Sequence, residues 1–324
     1  MTPTPVLLAD VEAARERIAG ITTRTPVLVA DGDALSDGFE LHCKCENLQR
    51  TGSFKLRGLY NRIATLEPER RARGIVTLSA GNAGAAAALA SRLHGVPCVV
   101  VMPADGVPRK VRAIADLGAE TVLVPERAAL EAAVERLQHE RGMEFVHSYD
   151  DPAVIAGQGT VALELLEQVP DLDVLVVPTG GGGLLAGCAV VLRALRPDTR
   201  LIAAEADGAA TLAPSLAAGR VVQRAEVATI ADGLATSTYG RCTFPLVADV
   251  VEESVTVGEA EILRAMATAW EHLRLAVEPA SAVALAALQR RTDALAGLRV
   301  AVVLSGGNVE PELVRTALRD TPWG

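Results

Sequence analysis

Short runs rich in Val, Ile, Leu and Thr alternate with alanine-rich stretches of helical period, and the alternation occurs twice along the chain. In the first series, strand-length runs at 75–78, 98–102 and 121–124 lead into predicted helices over 82–93, 109–117 and 128–141. In the second, runs at 174–177, 201–204 and 300–304 are interleaved with helices over 184–195, 260–275 and 280–290. Apolar strands between helices predict parallel sheets covered on both faces, so the fold class is α/β. The polar turn Tyr149-Asp150-Asp151-Pro152 separates the series. An earlier run, 39–45, alternates as a strand and belongs most naturally in the later sheet, which makes the first series an insertion. The expected organisation is a large domain from residues 1–72 and 149–324 and a small domain from 73–148. Residues 206–258 carry the least regular pattern and are expected to be loops.

At 324 residues the chain suits two domains, and a composition 50% hydrophobic but 3% aromatic predicts a core of Ala, Val and Leu. The net charge of −9 advertises no surface for nucleic acid or an acidic membrane. Arg92 and Arg193 interrupt the two most apolar stretches before either reaches the roughly 18 residues of a membrane span. Asp10, Glu12 and Glu16 do not fit a signal peptide. Five cysteines, an odd number without regular spacing, predict free thiols in a reducing compartment, the cytoplasm by default. His42 beside Cys43 and Cys45 makes no zinc site, because strand alternation sends the cysteines to one face with Leu41 and the histidine to the other with Lys44. His94, His139, His147 and His272 show no ligand spacing and receive no role.

Four segments carry candidate chemistry: TGSFKLRG at 51–58, SAGNAG at 79–84, TGGGGL at 179–184 and LSGGN at 304–308. Three of them follow a predicted strand, and in open α/β sheets ligands gather beyond the carboxyl ends of strands. Gly180, Gly181, Gly182 and Gly183 give the strongest signal. Peptides without side chains let N–H groups curl round an anion, and the helix opening near Leu184 adds its positive dipole end, so a phosphate fits. No Lys-Ser or Lys-Thr follows, which excludes a Walker loop. A dinucleotide reading stays open, since Gly181, Gly183 and Ala186 match a loose Rossmann fingerprint and Glu205 ends the next strand where an acidic residue would hold a ribose. Lys55 lies between Phe54 and Leu56. Read alone it is a snorkelling lysine; in an apolar pocket it would hold its proton less tightly and become a usable amine. An amine and a phosphate cradle are two parts of a pyridoxal phosphate enzyme.

Taken together, SFKLRG at 53–58, SAGN at 79–82, the four glycines, DPAVIAGQGT at 151–160, EPA at 278–280 and SGGN at 305–308 resemble the serine/threonine dehydratase and serine racemase family. These are fold-type II, tryptophan-synthase-β-like enzymes, and the resemblance runs from about Thr25-Pro26 to Asn308. It implies two parallel-sheet α/β domains, the smaller one mobile, in homodimers or homotetramers that act on small amino acids. Position by position, it implies that Lys55 holds pyridoxal 5′-phosphate as a Schiff base and moves the substrate α-proton. Phe54 would pack beside the ring, Asn82 would bond the ring hydroxyl, and Ser305 would face the pyridine nitrogen. The amides of Gly180, Gly181, Gly182, Gly183 and Leu184 would bind the phosphate. The loop of Ser79, Ala80, Gly81, Asn82, Ala83 and Gly84 would receive the substrate carboxylate.

A neutral Ser305 hydroxyl cannot hold a proton on the pyridine nitrogen as an aspartate would, which favours rapid loss of a β-substituent. The expected reaction is β-elimination from a β-hydroxy amino acid such as L-threonine or L-serine, giving a 2-oxo acid and ammonia. Ala80 stands where the family's racemases carry a serine acid/base, and a methyl group transfers no proton. The tetraglycine differs from the Gly-Thr-Gly-Gly of the cysteine synthases. Racemisation and β-replacement remain alternatives on the same fold, as does a regulatory protein that keeps the fold without the activity; a dinucleotide oxidoreductase is the rival from another enzyme class. Ala83 replaces the histidine that most of these dehydratases carry, which leaves the preferred substrate open. The family's Mg or Ca site would use Glu205, the carbonyl of Ala209 and an acid two residues on, where Thr211 stands instead. The short run after Asn308 is expected to leave no room for a C-terminal regulatory domain.

Overall fold

The computed structural model describes residues 5–30, 38–79, 81–104, 106, 108–291 and 294–319; Ala80 of the expected substrate loop lies outside them. Among the described residues the strands run, in chain order, β1 (Val27–Ala30), β2 (Glu40–Cys45), β3 (Ile75–Leu78), β4 (Cys98–Pro103), β5 (Glu120–Val124), β6 (Glu144–Phe145), β7 (Val174–Pro178), β8 (Arg200–Ala206), β9 (Val251–Val257) and β10 (Arg299–Leu304). They form a six-stranded sheet, β1-β2-β10-β7-β8-β9, and a four-stranded one, β5-β4-β3-β6. Every pairing is parallel except that β1 turns back antiparallel along β2. The fold is therefore two parallel-sheet α/β units. The early strand β2 sits in the larger sheet, with Cys43 opposite Val302 of β10.

The central strands are apolar on both faces because helices cover both. In β7, Val174 and Val176 join one core cluster while Leu175 and Val177 join another on the opposite face. The helix Pro279–Gln289 lies on the first side and the helices Pro152–Gln168 and Gly183–Leu195 on the second. Leu41, Cys43 and Cys45 enter the first cluster together, and all five cysteines are free.

Residues 206–258 depart from the loops expected there. They hold the helix Leu212–Ala218, the short helix Phe244–Val247 and the edge strand β9. Val255 and Val257 of β9 face the core, whereas Glu252 and Glu253 pair with Arg200 and Arg291. Charges along a sheet edge guard it against further pairing and mask its strand pattern. No helix among the described residues is long and apolar enough to cross a membrane.

Candidate active site

The segment before Lys55 is stitched to the end of β10. Ser53 bridges Gly306, and the Phe54 N–H donates to the Ser305 carbonyl at 3.1 Å. Lys55 then opens the helix Lys55–Ala64. Its Nζ donates to the Ser148 carbonyl at 3.2 Å and lies 5.0 Å from the centre of the Phe54 ring. Burial lowers the Lys55 pKa from its ordinary 10.5 to about 8, with the Glu278 carboxylate opposing. Two residues on, the fully buried Arg57 donates to both oxygens of Glu46 at 2.8 Å and to Glu164 at 2.7 and 2.8 Å. Those contacts fix the helix that presents Lys55.

The four glycines turn from β7 into the helix Gly183–Leu195, Gly182 adopting φ +93°, a left-handed backbone suited to glycine. Bare peptides are required there. A Cβ on Gly180 would lie 2.7 Å from the Leu234 carbonyl oxygen, one on Gly181 2.3 Å from the Tyr149 ring, and one on Gly182 2.2 Å from the Tyr239 ring. The Gly181 carbonyl is held by the Thr243 hydroxyl at 2.9 Å and the Gly240 N–H at 3.2 Å. Among the described residues, no protein group accepts from the N–H groups of Gly180, Gly181, Gly182, Gly183 or Leu184. A run of unpaired donors at a helix N-terminus suits a phosphate, so this cradle fits the phosphate of pyridoxal phosphate.

Lys55 and the glycine turn line one cavity of about 840 Å³. Phe54, Ser79, Gly81, Asn82, Ala83, Leu184 and Ser305 line it too. Gly84 does not reach it: a Cβ there would lie 2.7 Å from the Ser79 carbonyl and 2.9 Å from Ile114. Sequence reasoning missed two further lining groups. His147 accepts the N–H groups of Tyr149 and Asp150 on Nδ1, at 3.3 and 2.9 Å, which places the neutral ring's proton on Nε2. Burial pulls its pKa below the usual imidazole range, Asp150 opposing and Lys55 reinforcing. The second is Glu278, which accepts from Asn82 Nδ2 at 2.7 and 2.9 Å and whose pKa burial raises from 4.5 to about 7. Neither carries a spacing signal, since His147 stands alone in its segment and Asn82 is 196 residues from Glu278.

Glu205 bears on two expectations. Its carboxylate accepts from the N–H groups of Thr211 and Leu212 at 2.7 Å, Ala213 at 2.9 Å and the Ser254 hydroxyl at 2.7 Å. It is thus an anionic cap on the helix Leu212–Ala218, where the positive dipole end favours it. Those bonds give no support to a ribose at this carboxylate or to the ion expected with Ala209, and no group of three His, Cys, Asp or Glu among the described residues is arranged for a metal. Ala186 of the dinucleotide reading is buried inside the helix Gly183–Leu195.

A family model described as "Pyridoxal-phosphate dependent enzyme" matches residues 18–306. Among curated relatives, the L-threonine ammonia-lyase of Thermotoga maritima is 39% identical over 311 residues, covering 95% of this chain and 77% of that protein. The beta-hydroxyaspartate dehydratase of Paracoccus denitrificans is 41% identical over 315 residues, covering 97% of this chain and 98% of that one. Among solved structures, the serine racemase of Dictyostelium discoideum superposes with a TM-score of 0.88 at 40% identity, covering 94% of this chain and 99% of that one.

Proposed function

We propose, because this chain belongs to the family of pyridoxal-phosphate dependent enzymes, that it is an ammonia-lyase which eliminates water from a β-hydroxy amino acid and releases a 2-oxo acid and ammonia. The observation that carries the reading is the single cavity shared by the Lys55 amine and the unpaired N–H groups of the glycine turn. Relatives named for L-threonine and for β-hydroxyaspartate support a β-hydroxy substrate.

Bound pyridoxal phosphate supplies the electron sink for the substrate's α-carbon. The amides of 180–184 would hold its phosphate, Phe54 would pack beside its ring, and the neutral Ser305 hydroxyl would face the ring nitrogen without keeping it protonated. Lys55 Nζ would attach the cofactor and take the α-proton; a pKa near 8 leaves part of the amine free at neutral pH. Ser79, Gly81, Asn82 and Ala83 would receive the substrate carboxylate. The neutral Nε2–H of His147 offers a donor in the same cavity. At position 80 the chain carries an alanine, which has no proton to deliver from the opposite side, and this favours elimination over racemisation.

Residues 73–148 would form the small mobile domain against a large one of 1–72 and 149–324. This division is supported by the four-stranded sheet, whose strands all lie between Ile75 and Phe145. The free cysteines support a reducing, cytoplasmic setting, and a homodimer or homotetramer is proposed from the resemblance. Purified protein supplied with the cofactor should form 2-oxo acid and ammonia from L-threonine or L-serine, and Lys55→Ala should abolish this. Turnover surviving that substitution, or D-serine forming from L-serine faster than pyruvate, would overturn the assignment.

A further inference from the structure

Glu278 precedes Pro279, the first residue of the helix Pro279–Gln289, with an extended backbone (φ −75°, ψ 158°). Its N–H donates to the Gly306 carbonyl at 3.1 Å, but its side chain does not cap its own helix. It crosses instead to Asn82, at the start of the helix Asn82–His94 that follows β3 of the other sheet. Only glycine at 306 permits the approach: a Cβ there would lie 2.3 Å from Glu278 Oε1 and 3.2 Å from Asn82 Nδ2. On its other side, Asn82 Oδ1 accepts from Asn308 Nδ2 at 2.7 Å, and Asn308 Nδ2 also donates to the Thr51 carbonyl at 2.8 Å.

These contacts decide which way the Asn82 amide faces. Its oxygen meets a donor and its nitrogen meets an acceptor. A flip would set Nδ2 against Asn308 Nδ2 and, with Glu278 ionised, Oδ1 against the Glu278 oxygens, two repulsive contacts in place of two favourable ones. An amide nitrogen carries two protons, and the Glu278 carboxylate takes one direction. The second is what Asn82 offers the cavity that it lines.

We infer that Glu278 and Asn308 are positioning residues which lock Asn82 as a hydrogen-bond donor, with one N–H reserved for an oxygen on the cofactor ring. The inference rests on the cofactor-binding reading above. Cofactor affinity and the absorbance spectrum of the bound cofactor test it, with Asn82→Ala as reference. Glu278→Ala should weaken cofactor binding about five- to tenfold, the size expected for losing one oriented hydrogen bond, and displace the spectrum in the same direction as Asn82→Ala. Asn308→Ala, at an exposed position suited to a folding-neutral change, should displace it the same way by less. Glu278→Gln keeps an acceptor oxygen and should stay within about twofold of the parent, rescuing the loss seen with alanine. Parental affinity and spectrum in both Glu278→Ala and Asn308→Ala, with Asn82→Ala altered, would overturn the inference alone. A parent chain that binds no cofactor would overturn the underlying reading and this inference with it.

Discussion

Lys55 and Arg57 stand two residues apart on one helix, yet the charges round them follow opposite plans. Round Arg57 every donor finds an acceptor. Glu46 and Glu164 take its guanidinium, while the fully buried Lys44 gives its three protons to the Thr25 carbonyl, Glu164 and Gln168 at 2.8 to 2.9 Å. Two cations face two carboxylates and the cluster is internally neutral. Burial alone would lower the Arg57 pKa, but the two glutamates outweigh it and hold the guanidinium above its usual range. Round Lys55 the donors outnumber the partners: one carbonyl at 3.2 Å, and a Glu278 carboxyl that accepts from Asn82 rather than from the lysine. A saturated cluster holds the scaffold in one arrangement, whereas an unsaturated one keeps reactive capacity for a ligand.

The difference can be broken from either side. The largest effect is expected at Lys55→Ala, which should cut 2-oxo acid formation at least about a thousandfold, roughly 4 kcal/mol of barrier, while leaving urea unfolding of the cofactor-free chain nearly unchanged. Arg57→Ala should do the reverse to the scaffold. Stripping one member from a buried paired cluster costs about 3–5 kcal/mol, read as a lower urea midpoint, and Arg57→Lys should not restore it because the bidentate fork is lost. Gly180→Ala drives a methyl into the Leu234 backbone, so cofactor affinity, followed by absorbance titration, should fall about tenfold, within the 1–3 kcal/mol of an overpacked site.

The smallest effect is one of sign. Burial would raise the Glu164 pKa, but Arg57 and Lys44 outweigh it and hold it low, so its stabilisation is present above its ordinary pKa and lost as pH falls through the depressed one. Glu278 is pushed up to about 7, chiefly by burial and then by Asp232, against Asn82, Lys110 and Lys55. The folded chain therefore keeps a proton that the unfolded chain releases, and this contribution to the cofactor-free fold declines as pH rises from about 4.5 to about 7. Glu278→Gln should flatten that decline in a pH series of urea midpoints, and Glu164→Gln should flatten the acid limb instead.

The central strands were legible in the sequence because an apolar run such as VLVVP in β7 has one physical use, burial on both faces. The edges were not. β9 carries Glu252 and Glu253, and of the four residues of β1 only Ala30 is buried while Val29 is exposed, so neither resembles a core strand. At the site, the glycine turn announces itself because consecutive bare peptides have few other purposes. Nothing in the sequence pairs Lys44, Glu46 and Arg57 with a buried partner; only tertiary packing brings up Glu164, 107 residues from Arg57, as the second carboxylate for the two cations. Glu278 shares that obscurity, since a motif marks its position and the partner that gives it meaning lies on the other sheet's first helix.

The chain contains three lysines, which makes the central claim directly measurable. Lys44 is spent in the saturated cluster, and Lys110, which also lines the cavity, is ion-paired with Asp232 at 2.6 Å, leaving Lys55 as the cavity lysine whose amine is bonded to a carbonyl and, among the described residues, to no carboxylate. Borohydride reduction of the cofactor-loaded protein, followed by peptide mapping, should place the pyridoxyl label on Lys55. A label on Lys44 or Lys110, or a protein that stays unlabelled while the cofactor is bound, would contradict the account.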